Sequence, residues 1–122
     1  MGGYDMGKIR FYNKLIRDNM PSIIEKNGKS HNTIILDSKA FLVELKKKLI
    51  EEAIELNAAE SKLDVLNELS DVTEIIDSLM KEYHISEGEL LSRKLEKRSK
   101  NGSFEKKLFL ISVTEEGKTE NE

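Results

Sequence analysis

The sequence contains no cysteine and no tryptophan among its 122 residues. Without cysteine the chain can form neither a disulfide framework nor a thiolate metal site or nucleophile. It also has no apolar run near the roughly 20 residues that span a bilayer, and its first residues, MGGYDMGK, lack the apolar core of a secretory signal. We therefore expect a cytoplasmic protein with no membrane partner.

Neither sign of charge dominates the chain. Twenty basic side chains oppose 23 acidic ones, and the formal net charge is -3. This balance gives no bulk attraction to a nucleic acid polymer, so any phosphate binding has to be local. The residues are 38% hydrophobic and 35% charged, which is typical of a small helical protein whose thin core favours self-association.

The length fits one domain. We expect a flexible leader over residues 1–8, a single domain over residues 9–113, and a disordered polar tail over residues 114–122. Three short segments have a strand-like composition and predict peripheral strands. They are IRFYNKLI at residues 9–16, HNTIILD at residues 31–37 and KLFLISV at residues 107–113.

Two long helices follow from the spacing of apolar residues. Leucines and alanines recur three and four residues apart from Ser38 to about Ala58, after Asp37 as a candidate cap. A second stripe begins after Ser61, which resembles the start of a capping box with Asp64. The short gap between the stripes predicts a helical hairpin.

Shorter helices flank the predicted hairpin. Pro21 opens a short helix that stops at Gly28. Ser86 and Glu89 form a capping box that opens a third long helix, and Gly102 is its natural stop. We therefore predict an all-α fold, with a hairpin core and a third helix.

The first long helix carries a charge where hydrocarbon is expected. On a helical wheel of about 100° per residue, Glu52 lies only about 20° outside the arc that holds Leu45, Leu49 and Leu56. Glu55 falls at the edge of the same face. A buried carboxylate is costly unless something compensates its charge. One local explanation is an ion pair with Lys48, four residues earlier.

The second long helix carries a matching acidic pair, Glu68 and Asp71, so each helix has two acids three residues apart. Four facing carboxylates repel one another, and a divalent cation reverses that repulsion. Oxygen ligands without histidine or cysteine favour Mg2+, with Mn2+ as a substitute. Chance spacing of solvated acids is the alternative for Glu55, Glu68 and Asp71.

Written out, the pattern is Glu52-x-x-Glu55, twelve intervening residues, then Glu68-x-x-Asp71. It resembles the E-x-x-E, spacer, E-x-x-D signature of the MazG-like all-α nucleoside triphosphate pyrophosphohydrolases. KKLIEEAIEL also resembles the K-K-x-x-E-E-x-x-E segment of phosphoribosyl-ATP pyrophosphohydrolase, a branch of the same superfamily. YNKLIRDNMPSIIEKNG and EKRSKNGSFEKKLFL resemble the ends of small stand-alone members, so the likeness covers about residues 10–112.

This resemblance implies helical bundles completed by pairing of protomers, hence a homodimer or homotetramer. It implies Mg2+-dependent cleavage of a nucleoside triphosphate to the monophosphate and pyrophosphate, as in house-cleaning of surplus or non-canonical nucleotides. Glu52, Glu55, Glu68 and Asp71 become the metal ligands. Glu52 is also a candidate catalytic residue, together with Glu51, which matches the first acid of the doubled pair and is a candidate for orienting the attacking water.

The triphosphate needs basic partners, and a solvated basic face is the alternative role for the same residues. The candidate phosphate-binding residues are Lys14, Arg17, Lys48, Lys94, Lys97 and Arg98, with Arg93 on the same helix as the last three. The aromatic residues considered for the base are Phe41, Tyr83 and Phe104, each also suited to a core. We expect no catalytic role for His31 or His84.

Three other functions compete with this one. Phosphoribosyl-ATP pyrophosphohydrolase activity in histidine biosynthesis is second, because the chain after Asp71 does not match that branch. A non-catalytic helical interaction module would leave the acids on the surface. A di-iron bundle is disfavoured because such sites use Glu-x-x-His, and neither histidine follows a glutamate at that spacing.

Overall fold

The computed structural model describes residues 7–117. Within that range the chain forms four α-helices and no β-strand. The helices are α1 (Met20–Lys26), α2 (Ser38–Ala58), α3 (Lys62–Glu82) and α4 (Glu87–Asn101). The all-α prediction is therefore confirmed.

The three predicted peripheral strands are wrong. Residues 9–16, 31–37 and 107–113 all lack strand structure. Asn13 and Lys107 have positive φ angles of 48° and 56°, which interrupt the extended backbone of the first and third segments. A strand also needs a neighbour for its backbone N–H and C=O groups, and the described residues provide none.

Contacts divide the chain into two units, Met1–Ile85 and Ser86–Glu122, which are described separately. In the first unit, Pro21 stands in the first turn of α1, as predicted. Gly28 follows the helix with a φ of +77°, where a side chain would be strained. The N–H of Lys29 then donates to the carbonyl of Ile24 at 3.1 Å and closes the helix end.

Helices α2 and α3 form the predicted hairpin. The Asp37 carboxylate caps α2 by accepting a hydrogen bond from the Ala40 N–H at 2.8 Å. The Ser61 hydroxyl caps α3 by accepting one from the Asp64 N–H at 3.1 Å. Leu45 of α2 and Ile75 of α3 are the buried hydrophobic residues of the described chain, so the core between the helices is thin.

The end of α3 has a distinctive backbone geometry. The N–H of Ile85 donates to the carbonyl of Met80 at 2.8 Å, and the N–H of His84 donates to Lys81 at 3.2 Å. This pair of bonds is a Schellman motif, in which the residue after the cap takes a left-handed conformation. Here that residue is His84, with a φ of 55°. The histidine therefore occupies a position that favours glycine.

The second unit contains α4. The Ser86 hydroxyl accepts from the Glu89 N–H at 3.1 Å, and the Ser86 N–H donates to the Glu89 carboxylate at 3.3 Å. Both bonds of the predicted capping box are thus present. Gly102 follows the helix with a φ of +84°, which confirms the predicted stop.

Parts of the expected leader and tail, residues 1–6 and 118–122, lie outside the described residues. Residues 114–117 of the tail form neither helix nor strand. The expectation of a single domain over residues 9–113 stays a prediction. No helix within the described range is both long enough and apolar enough to cross a bilayer.

Replacing His84 by glycine should raise the free energy of unfolding by about 1 kcal/mol, because a non-glycine residue in the left-handed region costs roughly 1–2 kcal/mol and glycine loses some of that gain as unfolded-state entropy. Urea denaturation followed by far-UV circular dichroism measures the change. His84→Ala keeps a Cβ at the same φ and should show no gain. Equal gains in both variants would contradict the backbone explanation.

Candidate metal centre

The α2–α3 hairpin places a carboxylate in its thin core. The side chain of Glu52 lies in line with Leu45 on α2, and the residue is 6% exposed. Among the described residues, Glu52 is the one charged residue that is buried. The burial predicted from the helical wheel is therefore confirmed, and the hairpin has to compensate this charge.

Carboxylates from both helices converge on Glu52. One oxygen each from Glu52, Glu68 and Asp71 lie within 4.8 Å of one another, which joins α2 to α3. A second group, Glu51, Glu52 and Glu55, shares the same spacing along α2 alone. Glu52 thus belongs to both groups, whereas Glu55 is exposed and belongs only to the second.

Two carboxylate oxygens in this cluster are buried without a hydrogen-bond partner among the described residues. They are the Oε2 atoms of Glu52 and Glu68. Two ionised carboxylates have no proton to share, so each oxygen lacks a donor while both groups are charged. A bound cation, or a proton held between the acids, satisfies such atoms. Both oxygens can therefore accept a proton or a cation.

The surroundings of Glu52 favour its protonated form. Burial is the largest cause that raises the pKa of Glu52 from 4.5 to about 7. Hydrogen bonding with Glu55 and repulsion by it come next, followed by a hydrogen bond to Glu68 and repulsion by Asp71. Without a cation, the cluster thus lowers its own charge by holding a proton.

Burial also raises the pKa of Glu68. A hydrogen bond from Glu52 opposes that change, while repulsion by Glu55 and Asp71 adds to it. Because Glu52 and Glu68 interact, the pKa values at which they lose their protons belong to the pair rather than to either residue. The fold of the hairpin thus opposes ionisation of both carboxyl groups.

Three of the predicted phosphate-binding residues lie against these acids. Lys14 donates to the Glu51 carboxylate at 3.3 Å, and Arg17 donates to the Asp71 carboxylate at 2.7 Å. The ammonium nitrogen of Lys48 is 3.6 Å from the Glu51 carboxylate and 3.7 Å from that of Glu52. The predicted ion pair of Lys48 with Glu52 is therefore present. Lys14 and Arg17, which precede α1, also compensate the negative charge of the acids.

The basic residues of α4 belong to the second unit. Arg93 pairs with Glu96 at 3.1 Å within that helix. Lys94, Lys97 and Arg98 are exposed on α4, and their assignment to phosphate binding stays a prediction.

None of the aromatic and histidine candidates belongs to the two acidic groups. Tyr83 is 48% exposed and Phe104 is 98% exposed, so neither is a core residue. The Tyr83 ring centre is 5.5 Å from the Lys46 ammonium. Phe41 is half-buried on α2. His31 bonds to Thr33 and Glu25 at the surface, in keeping with a structural role.

The donor set suits a hard divalent cation. Glu52, Glu68 and Asp71 present only oxygen atoms, which Mg2+ and Mn2+ prefer, and no cysteine or histidine is among them. The Oε2 atoms of Glu52 and Glu68, which are buried without a hydrogen-bond partner among the described residues, are available as ligands. The residues of this site therefore fit the group that the sequence pattern suggests.

Sequence reasoning missed two features of the site. The contact between Arg17 and Asp71 joins residues 54 positions apart, and no local pattern announces it. The Tyr12 ring lies 5.9 Å from the Lys14 ammonium, and the alternation of Arg10, Tyr12 and Lys14 was the available signal.

Comparisons of the chain with family models, with curated proteins and with solved structures found no match. The resemblance to the MazG-like pyrophosphohydrolases therefore rests on the spacing of the acids and on the flanking segments of this sequence. Four helices and the acidic clusters agree with that resemblance without identifying the family.

The thermal stability of the metal-free protein should fall as the pH rises from 5.5 to 8. Because the folded pKa of Glu52 lies near 7 and its ordinary value is 4.5, the folded state holds a proton that the unfolded state has lost. This stabilisation is complete below pH 4.5 and is lost as the pH rises through about 7. Melting temperatures measured in EDTA test the trend.

Glu52→Gln should flatten this pH profile, because the amide is neutral throughout. Glu60→Gln removes an exposed acid from the α2–α3 connection and should leave the wild-type slope intact. A metal-free wild type whose melting temperature stays level or rises between pH 5.5 and 8 would contradict the burial of an ionisable Glu52.

Proposed function

We propose that this chain is a Mg2+-dependent nucleoside triphosphate pyrophosphohydrolase, a hydrolase that acts on the α–β phosphoanhydride bond. The carrying observation is the buried carboxylate of Glu52, whose Oε2 lacks a donor in the described structure while Glu68 and Asp71 converge on it. A solvated acidic surface would not bury one carboxylate against two others. The resemblance of the acidic spacing supports the same activity.

Glu52, Glu68 and Asp71 would hold the cation between the two helices, and Glu55 would contribute from the exposed side. When bound, Mg2+ neutralises the phosphate charge and polarises the phosphorus for attack by water. Phosphoanhydride cleavage needs placement and charge more than covalent help from the protein. Carboxylates on two rigid helices supply that placement.

Glu51 is the proposed positioning group for the attacking water. It is half-buried at the edge of the cluster, and its carboxylate contacts both Lys14 and Lys48. Those contacts hold the carboxylate beside Glu52 while leaving one face towards solvent. A carboxylate so placed can orient a water molecule and accept its proton.

Lys14, Arg17 and Lys48 are the proposed phosphate partners. Each contacts an acid of the cluster. The side chains of Lys14 and Arg17 are exposed, and ion pairs made by exposed side chains are weak. The side chains can therefore exchange a carboxylate for a phosphate oxygen. Arg17 is suited to a bidentate contact with phosphate. Lys94, Lys97 and Arg98 of α4 remain further proposed partners.

Removal of surplus or non-canonical nucleotides is the proposed house-cleaning role, and it rests on the resemblance alone. The alternative function is a non-catalytic helical interaction module, and the Glu52→Gln variant described below tests it. No observation favours the histidine-biosynthetic substrate over a common nucleoside triphosphate.

We also propose that the chain works as a homodimer or homotetramer. The described core contains few buried residues, whereas large apolar side chains are exposed on both hairpin helices. They are Val43, Ile50 and Ile54 on α2, and Leu63, Leu66 and Leu69 on α3. Exposed apolar side chains in such number on two helices are the kind of surface that protein interfaces cover, and a second copy of a hairpin with the same faces would complete a helical bundle.

Glu52→Gln should lower kcat/KM for the preferred nucleoside triphosphate by about 100-fold or more, because it removes a ligand that both acidic groups share. A panel of canonical, deoxy and damaged nucleoside triphosphates, assayed with Mg2+ for pyrophosphate and orthophosphate, identifies that substrate. The variant should keep its helical circular dichroism spectrum and lose the rise in melting temperature that Mg2+ gives the wild type.

Glu60→Gln is the matched control, since Glu60 is exposed and outside both acidic groups. It should retain turnover and the Mg2+ response. Unchanged turnover in Glu52→Gln would refute the assignment, and orthophosphate as the first product would refute the proposed bond cleavage. A wild type that cleaves nothing in the panel and ignores Mg2+ would support the interaction module.

Ile50→Lys should shift the protein towards the monomer, because a charge on the outer face of α2 opposes burial against a second copy. Size-exclusion chromatography with light scattering measures the mass. Asn32→Lys adds the same charge at an exposed polar position outside the two hairpin helices and should leave the assembly intact. A wild type that is monomeric at micromolar concentration would overturn the assembly proposal.

A further inference from the structure

The segment before α1 lies along the acidic hairpin and is held there at two points. Lys14 contacts Glu51 of α2 at 3.3 Å, and Arg17 contacts Asp71 of α3 at 2.7 Å. The segment has no regular secondary structure of its own. Its course beside the acids is therefore set by charge, and residues next to Lys14 are brought close to the candidate metal centre.

Tyr12 is an aromatic residue of this segment that lies near the acids. Its ring centre is 5.9 Å from the Lys14 ammonium, which is itself 3.3 Å from the Glu51 carboxylate. These two distances set an upper limit of about 9 Å between the ring centre and the carboxylate. The left-handed φ of Asn13, 48°, turns the backbone between the tyrosine and the lysine.

The ring is also accessible and flanked by positive charge. Tyr12 is 60% exposed, and the Arg10 guanidinium lies 5.0 Å from its ring centre. Proteins bind the unpaired bases of single-stranded nucleic acids with the same combination of an aromatic face, arginine and lysine, because the base stacks while the cations attract phosphate. An exposed tyrosine with this surrounding offers a stacking surface in the segment that contacts the acids.

We propose that Tyr12, with Arg10 beside it, binds the nucleobase of the substrate by stacking. This inference rests on the proposed function, since it needs a nucleotide whose phosphates lie at the acids. A nucleotide extends from its phosphates through the sugar to the base, and the proposal places the sugar beside Lys14 and the base on the Tyr12 ring, which lies within about 9 Å of the Glu51 carboxylate. Stacking accepts any base, and Tyr12 therefore contributes affinity for nucleosides over inorganic polyphosphate.

The test compares Tyr12→Ala, Tyr12→Phe and the neighbouring Phe11→Ala. Phe11 is 78% exposed and makes no cation–π contact among the described residues, so its removal controls for loss of an aromatic group from the same segment. The measurements are KM and kcat for the preferred nucleoside triphosphate, and the affinity for inorganic tripolyphosphate with Mg2+ by titration calorimetry.

Tyr12→Ala should raise KM for the nucleotide about 5- to 100-fold, in line with the loss of one base–aromatic stack. Its affinity for tripolyphosphate, which has no base, should stay at the wild-type value. Tyr12→Phe keeps the ring and should restore the wild-type KM, and Phe11→Ala should match the wild type throughout.

Three results would overturn the inference. A Tyr12→Ala enzyme whose KM stays at the wild-type value for every nucleotide has no base contact to lose. An equal weakening of nucleotide and tripolyphosphate would show that the ring only holds Lys14 in place. If the wild type cleaves no nucleoside triphosphate, the proposed function itself fails and the inference falls with it, whereas the first two results leave that function standing.

Discussion

The buried carboxylate of Glu52 is the constraint around which the first unit is organised. A charge in the thin core between α2 and α3 is unfavourable unless it is protonated or paired with positive charge. Glu68 and Asp71 on the facing helix add repulsion. The hairpin compensates by raising the pKa of Glu52 to about 7 and by drawing basic side chains to the rim of the cluster. A fold selected only for stability would place hydrocarbon there.

The segment before α1 takes its course from the same electrostatics. Lys14 and Arg17 reach one helix each, and their ion pairs involve side chains that are a third or more exposed. Such pairs are individually worth about 0–1 kcal/mol, so the segment is placed without being locked. That combination suits residues that meet a charged substrate, because phosphate oxygens can replace carboxylates at small cost. Tyr12 and Arg10 are carried along by this placement.

The small size of the hydrophobic core is a second property that bears on function. The hairpin buries Leu45 and Ile75 and leaves much of its apolar surface outside. A core of this size contributes little stability on its own. Association of copies would bury the remaining apolar faces and stiffen the two helices that carry the acids. If the proposed assembly forms, it would therefore also stiffen the proposed cation site.

The sequence by itself determined the four helices, their caps and the burial of Glu52, because helical periodicity and capping are local and act within a few residues. It did not determine the peripheral segments, since a strand needs a partner that local pattern cannot supply. Only the tertiary structure decided that Glu55 stays exposed, that Arg17 meets Asp71, and that Tyr12 lies near the acids. These outcomes join residues distant in the chain, and long-range charge compensation, rather than local propensity, selects them.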